Sequence, residues 1–303
     1  MSTPEVPMRR PSSPEVDALI GVKRPVLSHG FVTLVDYMGN DAAIVQAARV
    51  SYGEGTKSIR DDRGLIRYLM RHRHTTPFEM VEFKFLIRLP IYVARQMVRH
   101  RTASLNEASA RYSVVTDEYE VPVAEEVRHQ STRNRQGRGD LLPSVVVERF
   151  RANLDRISKE AYAAYSEALE QGVARETARL LLPVAYYTQW YWKIDLWNLF
   201  HFLSLRLDPH AQEEIRLYAA ELATFARAVC PIAYEAFEDF SLGGLNLSRR
   251  EQRAVKELLK GATPEAACAS AGLPLQREDG KAMTTGEGVE FLEKLERVRA
   301  SLP

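Results

Sequence analysis

The sequence predicts a chain of mixed α and β structure, and three patterns indicate it. From Val81 to Leu89 every second residue is apolar and three of the four residues between them are charged, which is the period of a half-buried strand. Residues 30–39 are rich in β-branched and aromatic residues and end in a Gly-Asn turn. Residues 150–164 place apolar side chains three and four positions apart, as on one face of an amphipathic helix.

The helices are predicted from their boundary residues. Asp41 is a favourable N-cap for a helix that ends near Val50, and Asp195 can cap a helix that ends near Arg206. Pro90 is a natural first residue for the helix that follows the strand. Further helices are predicted around Leu65–Met70 with a stop at Pro77, through Phe150 to Gly172, from Pro209 to Val229, after Pro231, from Ser248, from Thr263, and through Val289–Leu295.

Two segments are predicted to lie outside a central catalytic domain of residues 26–241, and one mobile loop is predicted within it. Residues 1–25 begin with a Pro- and Ser-rich run and predict a flexible lead-in. Arg128–Leu142 contains four arginines and two glycines, which predicts a mobile surface loop. Residues 242–303 predict a helical C-terminal extension of unknown role, without a catalytic motif and with a disordered hinge around Arg277–Gly286.

Composition disfavours several classes of protein. The 303 residues carry 41 Lys and Arg against 40 Asp and Glu, a balance that argues against a dedicated nucleic-acid or membrane-surface protein. Cys230 and Cys268 stand far apart without a C-x-x-C pattern, so neither a disulfide framework nor a metal site is predicted. No apolar run has the length of a membrane span, and the N-terminal residues lack the apolar stretch of a signal peptide. We therefore expect a cytoplasmic protein with no nucleic-acid or membrane partner.

The stretch from Arg99 to Tyr112, RHRTASLNEASARY, concentrates polar groups that bind small molecules. Guanidinium groups bind phosphate and carboxylate bidentately, and short Ser and Asn side chains can complete such a cage. Its one carboxylate, Glu107, can accept a hydrogen bond from a ribose hydroxyl or a base N–H. The residues predict a site for a phosphorylated small molecule. On composition alone, a solvated basic turn and a patch for RNA phosphates stay open.

The order of residues in this stretch resembles the R-H-R-x-x-S-x-N-E-x-S-x-R-Y pattern of the flavin-dependent thymidylate synthases, and every fixed position is met. Three further blocks resemble that family in the same order within Gly30–Phe240. HTTPFE resembles its His-x-Thr-Pro-Phe-Glu block, although the His that usually follows is Met80 here. ARLLLP resembles the block with a phosphate-binding arginine, here Arg179, and LRLDPHAQEEI the block that opens with a substrate-activating arginine, here Arg206.

The resemblance implies a mixed α/β (α+β) fold with a central sheet flanked by helices, assembled as a homotetramer with shared active sites. It also implies an enzyme that makes dTMP from dUMP. Methylenetetrahydrofolate would supply the one-carbon unit, and FAD reduced by NADPH would carry the hydride. No cysteine lies in a recognisable catalytic context, which suits a reaction without an enzyme thiol as nucleophile.

The site residues follow from the resemblance position by position. Arg206 is expected to hydrogen-bond the pyrimidine and favour ionisation at its N3, because a fixed cation stabilises a developing anion best in a dry, preorganised site. Arg179 is expected to reach the phosphate from another subunit, and His74 and Tyr112 are candidates for the flavin–folate face. The residues expected at FAD are Ser51, Thr76, Arg99, His100, Arg101, Glu107, Asp195 and His201. Those expected at dUMP are Gln96, Arg99, Glu107, Ser109, Ala110, Arg111, Arg179 and Arg206.

The chain departs from the family on the adenine side of FAD. An Asn-x-Arg pair of some members reads Asp195-Leu196-Trp197 here, and a following Asn reads His201. Asp and His can still hydrogen-bond, and Trp197 can pack against an adenine. Ser109 is interpreted as a phosphate ligand and not as a nucleophile, because no base is evident beside it.

Two other functions stand as hypotheses. An RNA-binding module would use the arginine stretch and the aromatic segment Ala185–Ile194, although such a segment is more typical of a core or a subunit interface. A flavoprotein that has lost methylation would act only as an NADPH oxidase. The presence of Arg206, Arg179 and Ser109 disfavours that second hypothesis.

Overall fold

The computed structural model describes residues 13–50, 62–131 and 137–300, and these fall into two compact units. The first unit comprises residues 13–131 and 137–242 and holds the sheet. The second comprises residues 243–300 and is helical. The functional division into a lead-in, a catalytic domain and an extension stays a prediction.

The first unit is built on an antiparallel five-stranded sheet with the strand order β1-β2-β3-β7-β4 among the described residues. Its strands are β1 (Lys23–Val26), β2 (Gly30–Met38), β3 (Glu82–Pro90), β4 (Ser104–Glu107) and β7 (Tyr187–Asp195). A separate pair is formed by β5 (Arg128–Gln130) and β6 (Arg138–Leu141).

Helices surround this sheet, so the predicted mixed α and β architecture is confirmed. They are α1 (Pro14–Asp17), α2 (Asp41–Arg49), α3 (Asp62–Arg71), α4 (Thr76–Glu79), α5 (Ile91–Met97), α6 (Ser144–Glu170), α7 (Arg175–Ala178), α8 (Leu196–Arg206), α9 (Glu213–Val229) and α10 (Pro231–Phe237). Two 3₁₀ turns, Ala124–Glu126 and Arg179–Leu181, and a π-helical turn, Glu238–Leu242, complete the unit. None of the described helices is long and apolar enough to cross a membrane.

Strand β3 forms the centre of the core, as its alternation predicts. The five alternating apolar residues from Val81 to Leu89 are all fully buried. Phe83 and Phe85 stack with ring centroids 5.7 Å apart, and Phe85 also packs against Trp192 of β7. Burying one such side chain contributes about 1.5–3 kcal/mol. The buried β3 therefore fixes the positions of the segments that adjoin it, α4 before the strand and α5 after it.

Helices α8 and α9 show where boundary residues predict well and where they do not. Asp195 caps α8 by accepting a hydrogen bond from the Asn198 backbone N–H at 2.9 Å, as predicted. Helix α9 begins at Glu213 and not at Pro209. The Asp208 carboxylate accepts from the His210 N–H at 2.8 Å, and this Asx turn takes the backbone out of helical geometry.

The predicted role of Asp41 as an N-cap is wrong. Asn40 caps α2 instead, with its side chain accepting from the Ala42 N–H. The Asp41 carboxylate accepts from the backbone N–H groups of Ile232 and Ala233, each at 2.9 Å. These groups lie in the first turn of α10, whose N–H groups have no partner within the helix. Asp41 therefore joins α2 to α10, a contact that local sequence cannot reveal.

The flexible lead-in predicted for residues 1–25 is too long. Strand β1 pairs with β2, and Val16 of α1 is only 3% exposed. The Ser13 N–H also donates to the Tyr37 hydroxyl at 3.1 Å. Residues 13–25 are therefore part of the first unit, whereas residues 1–12 lie outside the described residues.

The mobile loop predicted for Arg128–Leu142 is also corrected. Its described residues form the β5–β6 pair, and residues 132–136 lie outside the description. Arg138, one of the four arginines that composition assigns to solvent, forms an ion pair with the buried Glu214 of α9. A long-range carboxylate partner orders a segment whose own residues carry little apolar surface.

The second unit contains α11 (Arg249–Leu259), α12 (Pro264–Ala271) and α13 (Glu287–Ala300). Both predicted caps are confirmed: Ser248 forms a capping box with Glu251, and Thr263 caps α12. A small core of its own surrounds Phe291. The hinge predicted around Arg277–Gly286 is wrong, because the Arg277 N–H donates to the Lys281 carbonyl at 2.8 Å and closes a turn.

Replacing Asp41 by Ala should lower the free energy of unfolding by about 1–2 kcal/mol, because two helix N–H groups lose their acceptor. Asp41→Asn keeps one acceptor oxygen and should cost less. Chemical denaturation of the two variants beside the unsubstituted protein measures the difference. Equal stability of Asp41→Ala and the unsubstituted protein would contradict the assignment.

Candidate active site

The Arg99–Tyr112 stretch follows directly from the central strand. Strand β3 ends at Pro90, which is the N-cap of α5 and not its first residue. Helix α5 buries Val93 and Met97, and the His100 N–H donates to the Met97 carbonyl at 3.0 Å to close its last turn. Arg99 and His100 therefore stand at the C-terminal end of α5, where the helix dipole favours cations.

The sequence predicts that this stretch begins on the last turn of the helix, continues as a loop and then enters an extended segment from Arg111 to Val121. The predicted loop instead contains the strand β4. β4 pairs antiparallel with β7, from Ser104 opposite Lys193 to Glu107 opposite Trp190. All four residues of β4 are exposed, so they lack the apolar alternation by which a strand is recognised. Arg111–Val121, predicted as extended, contains only an isolated bridge of Tyr119 with Tyr186.

The two helix ends that carry site residues meet at Arg206 and His100. The Arg206 Nε–H donates to Nε2 of His100 over 3.0 Å. Arg206 is the last residue of α8 and His100 follows α5, so the contact joins two elements that are far apart in sequence. With Nε occupied, the two terminal nitrogens of the guanidinium remain to bind a ligand.

His100 is held in its neutral form. Burial, and to a smaller extent the nearby charge of Arg206 and the His201 ring, together lower the pKa of His100 from 6.5 to about 4. Its ring packs edge-on against Phe202 at 4.8 Å between centroids. A neutral imidazole can accept the Arg206 hydrogen bond, whereas an imidazolium cannot. Burial likewise lowers the pKa of Arg206.

Gln96 has a partner that sequence reasoning missed. Its amide nitrogen donates to Oε1 of Gln212, the residue just before α9. Gln212 belongs to the block LRLDPHAQEEI, six residues after Arg206. Nothing in a single sequence distinguishes it from a solvated glutamine.

Ser109 and Arg111 lie together beyond β4. The Ser109 hydroxyl accepts from the Arg111 backbone N–H at 3.3 Å and from its Nε–H at 3.4 Å. The Arg111 guanidinium also lies over the Tyr112 ring, 5.3 Å from its centroid. Ala110 lies between them, and Tyr112 is 75% exposed. Two donors and a hydroxyl on one short turn make a suitable cradle for phosphate.

Glu107 is oriented by β7. The Thr188 hydroxyl donates to the Glu107 carboxylate at 2.6 Å, and the Ala108 N–H donates to the Gln189 carbonyl at 2.8 Å. Thr188 is a second residue that the sequence analysis missed. The contact crosses two strands, and it could be found only by knowing that β4 pairs with β7.

Arg179 is not brought to Arg111 within one chain. Its Nε–H donates to the Glu176 carbonyl at 3.2 Å, and the residue is exposed in the turn after α7. The neighbouring Arg175 instead contacts the Tyr112 carbonyl at 3.4 Å. Arg179 is therefore exposed to solvent and forms no hydrogen bond with a described side chain of the Arg99–Tyr112 stretch.

The residues expected on the adenine side and the flavin–folate face lie on α4, α8 and the turn after α3. His201 of α8 lies 6.1 Å from the His100 ring, while Asp195 is engaged as the α8 cap. Trp197 packs against Phe78 at 5.8 Å and is joined to the core, which limits its freedom to meet an adenine. Thr76 is exposed at the start of α4.

His74 is held by the backbone turn that ends α3. Its N–H donates to the Leu69 carbonyl at 2.9 Å, and Arg73 before it has φ of +57°, a left-handed conformation that costs a non-glycine residue about 1 kcal/mol or more. The exposed His74 ring lies 5.8 Å from Tyr68 and 6.5 Å from His72.

Two cations of the stretch lack a hydrogen-bond or ion-pair partner among the described residues. These are the exposed guanidinium groups of Arg99 and Arg101. Ser51 lies outside the described residues. Across the described part of the chain, no cluster of His, Cys, Asp and Glu could hold a metal ion. The site thus offers unpaired cations and oriented acceptors.

Comparison with known proteins agrees with this geometry. Residues 33–232 match the family described as Thymidylate synthase complementing protein. A flavin-dependent thymidylate synthase of Thermus thermophilus is 56% identical over 250 residues, which cover 82% of this chain and 90% of that protein. One of Ruegeria pomeroyi is 52% identical over 259 residues, which cover 84% and 86% of the two chains.

Solved structures give the same result. The UMP/dUMP methylase PolB of Streptomyces cacaoi, bound with 5-Br UMP, superimposes with a TM-score of 0.65 and 38% identity, covering 72% of this chain and 97% of that one. The family match spans β2 to α10, which includes both helix ends that meet at Arg206. The chain belongs to the flavin-dependent thymidylate synthases.

Proposed function

We propose that this chain methylates dUMP to dTMP, with methylenetetrahydrofolate as one-carbon donor, and that Arg206 activates the pyrimidine. The observation that carries the proposal is the Arg206–His100 contact at the meeting point of α8 and α5. It fixes a half-buried cation against His100, whose neighbours in sequence are the exposed Arg99 and Arg101. An anion that develops on a bound ring is best stabilised by a cation that is already oriented.

The donor set suits FAD. A diphosphate needs cations that are not already paired, and Arg99 and Arg101 meet that need. We assign FAD to Thr76, Arg99, His100, Arg101, Glu107, Asp195 and His201, together with Ser51 of the undescribed segment. When bound, the flavin supplies the hydride. Because Trp197 is packed against Phe78, we expect Asp195 and His201 to provide the polar contacts on the adenine side.

The nucleotide is assigned to the neighbouring residues. Ser109, Ala110 and Arg111 would bind the phosphate, and Glu107, oriented by Thr188, would accept from the sugar or base. Gln96 and Arg99 would complete this side of the site. With its Nε donated to His100, the Arg206 guanidinium would present its terminal nitrogens to the pyrimidine. Loss of the N3 proton then leaves an anion beside a cation, which makes the ring carbon a better nucleophile.

Assembly into a homotetramer with shared sites is part of the proposal. Arg179 is exposed and bonded to no side chain of the stretch, as expected of a residue that serves another subunit. Apolar side chains are also exposed along α6 and after α7, among them Phe150 (48%), Ile157 (47%) and Leu180 (79%).

The proposal includes three further parts. NADPH is the reductant, and His74 and Tyr112 lie at the flavin–folate face. The protein is located in the cytoplasm.

The RNA-binding alternative is disfavoured by burial. Base stacking along a segment needs several exposed aromatic faces, but Tyr191 of β7 is the one aromatic residue of Ala185–Ile194 that is exposed, at 44%. Tyr187, Trp190 and Trp192 are at most 6% exposed. They serve the core, as the sequence analysis expects of that segment.

The visible absorption spectrum of the purified protein is the first test. A flavin spectrum that shifts on addition of dUMP is expected, because Arg99 and Glu107 are assigned to both ligands. A flavin spectrum indifferent to dUMP would point to another substrate. A protein that stays colourless after addition of FAD would contradict the flavin site.

Arg206→Lys should lower kcat for dTMP formation by about 10²–10³-fold. The reason is that a lysine ammonium cannot both donate to His100 and form the two parallel hydrogen bonds that a guanidinium offers the pyrimidine ring. FAD content should be unchanged. Arg156→Lys is the matched control, since Arg156 is exposed and its ion pair is with Glu160, one turn along α6. Unchanged dTMP formation in Arg206→Lys would refute the role.

His100 should make stability depend on pH. Its folded pKa of about 4 lies below its ordinary 6.5, so the unfolded chain binds more protons and the contribution of His100 to stability is lost as the pH falls from about 6.5 toward 4. Thermal unfolding of the unsubstituted protein and of His100→Asn across this range should therefore converge toward low pH. A constant difference would mean that His100 titrates normally.

A further inference from the structure

We propose that the ion pair of Arg138 and Glu214 is a clamp that positions Gln96 in the nucleotide site. The inference rests on the proposed function and deepens it, because it assigns a positioning role to the β5–β6 pair. Arg138 lies in a segment whose composition predicts a solvated loop, and it is outside every block that resembles the family.

The clamp begins on β6. One terminal nitrogen of Arg138 donates to both oxygens of the Glu214 carboxylate, at 2.6 and 2.7 Å, and the other nitrogen pairs with Glu126. The Glu214 side chain is only 9% exposed. Burial alone would lower the pKa of Arg138, but the bonds to Glu214 and Glu126 raise it above its ordinary value. The cation thus neutralises a carboxylate that α9 carries into the interior.

Two contacts extend from this pair to the site. The Tyr92 hydroxyl of α5 donates to Glu214 at 3.3 Å, and Gln96 of α5 donates to Gln212. Tyr92 and Gln96 are four residues apart, so they lie on one face of α5. Gln212 and Glu214 both belong to the start of α9. The start of α9 therefore contacts α5 at two successive helical turns, and Arg138 binds the same Glu214 carboxylate that Tyr92 contacts.

The same segment is tied to Arg206. Only residues 207–212 separate the end of α8 from α9, and the Asp208 turn makes that connection compact. A shift at the start of α9 would therefore move Gln212 directly, whereas Arg206, six residues earlier, is held separately by its hydrogen bond to His100. Loss of the clamp should therefore weaken nucleotide binding more than it slows the chemical step. Arg138, which is not assigned to any ligand, would act on the nucleotide through Gln96.

The test must separate positioning from the cost of an unpaired buried charge. Removing Arg138 alone leaves Glu214 buried without a partner, which destabilises most proteins by about 3–5 kcal/mol. The double variant Arg138→Met/Glu214→Gln removes both charges. We expect it to fold and bind FAD, to raise the dUMP dissociation constant about five- to tenfold, and to keep kcat at saturating dUMP within about twofold.

The matched control is Arg24→Met. Arg24 of β1 also pairs with a glutamate of α9, Glu221 at 3.5 Å, but at a site two turns from the clamp. It should leave dUMP affinity unchanged. A folded double variant with the affinity of the unsubstituted protein, or an equal loss in Arg24→Met, would overturn the proposal.

Gln212→Ala tests the connection without touching a charge. It should raise the dUMP dissociation constant by a similar factor. Combining it with Arg138→Met/Glu214→Gln should add little more, because both changes remove the same connection from Arg138 through Gln212 to Gln96. Full additivity, or normal affinity in Gln212→Ala, would overturn the route through Gln96.

Amide hydrogen exchange of residues 91–98 tests the clamp without any ligand. Faster exchange there in the double variant than in Arg24→Met supports it, and equal rates overturn it. If the unsubstituted protein binds no dUMP, the proposed function fails, while this exchange experiment still decides whether the clamp holds α5.

Discussion

The antiparallel pairing of β3 with β7 is the constraint on which the site depends. The two strands pair over nine residues, from Glu82 opposite Asp195 to Pro90 opposite Tyr187. Each continues into a helix, but at opposite ends of the pair: α5 follows Pro90 and α8 follows Asp195. Nine residues of strand span about 30 Å. The seven residues of α5 and eleven of α8 span about 10 and 16 Å. Together the two helices are long enough to bridge most of this distance, and their C-terminal ends meet where His100 contacts Arg206.

This arrangement also explains the chemistry of the meeting point. Both helices present their C-terminal ends there, and the partial negative charge of those ends favours cations. Arg99, Arg101 and Arg206 can therefore gather without strong mutual repulsion, while His100 is kept neutral by burial and by its charged neighbour. The cationic character that a nucleotide and a flavin diphosphate require thus follows from the direction of two helices.

The sequence predicts those parts of this arrangement that have a local cause. The alternation of β3, the Asp195 cap of α8 and the end of that helix at Arg206 all follow from neighbouring residues. The errors arise where the partner is distant. β4 is a strand because β7 offers an unpaired edge, Asp41 serves α10 because that helix start lies beside it, and Arg138 is ordered by a carboxylate 76 residues away. The expected FAD and dUMP residues follow from the family pattern, because that pattern contains residues that are distant in sequence and share one site. Gln212 and Thr188 were missed because their contacts exist only in the folded chain.

The opposed directions of α5 and α8 also limit how this chain can change in length. An added residue after Leu242, where the first unit ends, would leave the meeting point unmoved. One added residue within either helix would carry its last side chain about 1.5 Å further and turn it by about 100° around the axis. His100 and Arg206 would then no longer face each other. The ten-residue interval from Pro90 to His100 and the eleven-residue interval from Asp195 to Arg206 are therefore as much a part of the active site as the side chains they carry.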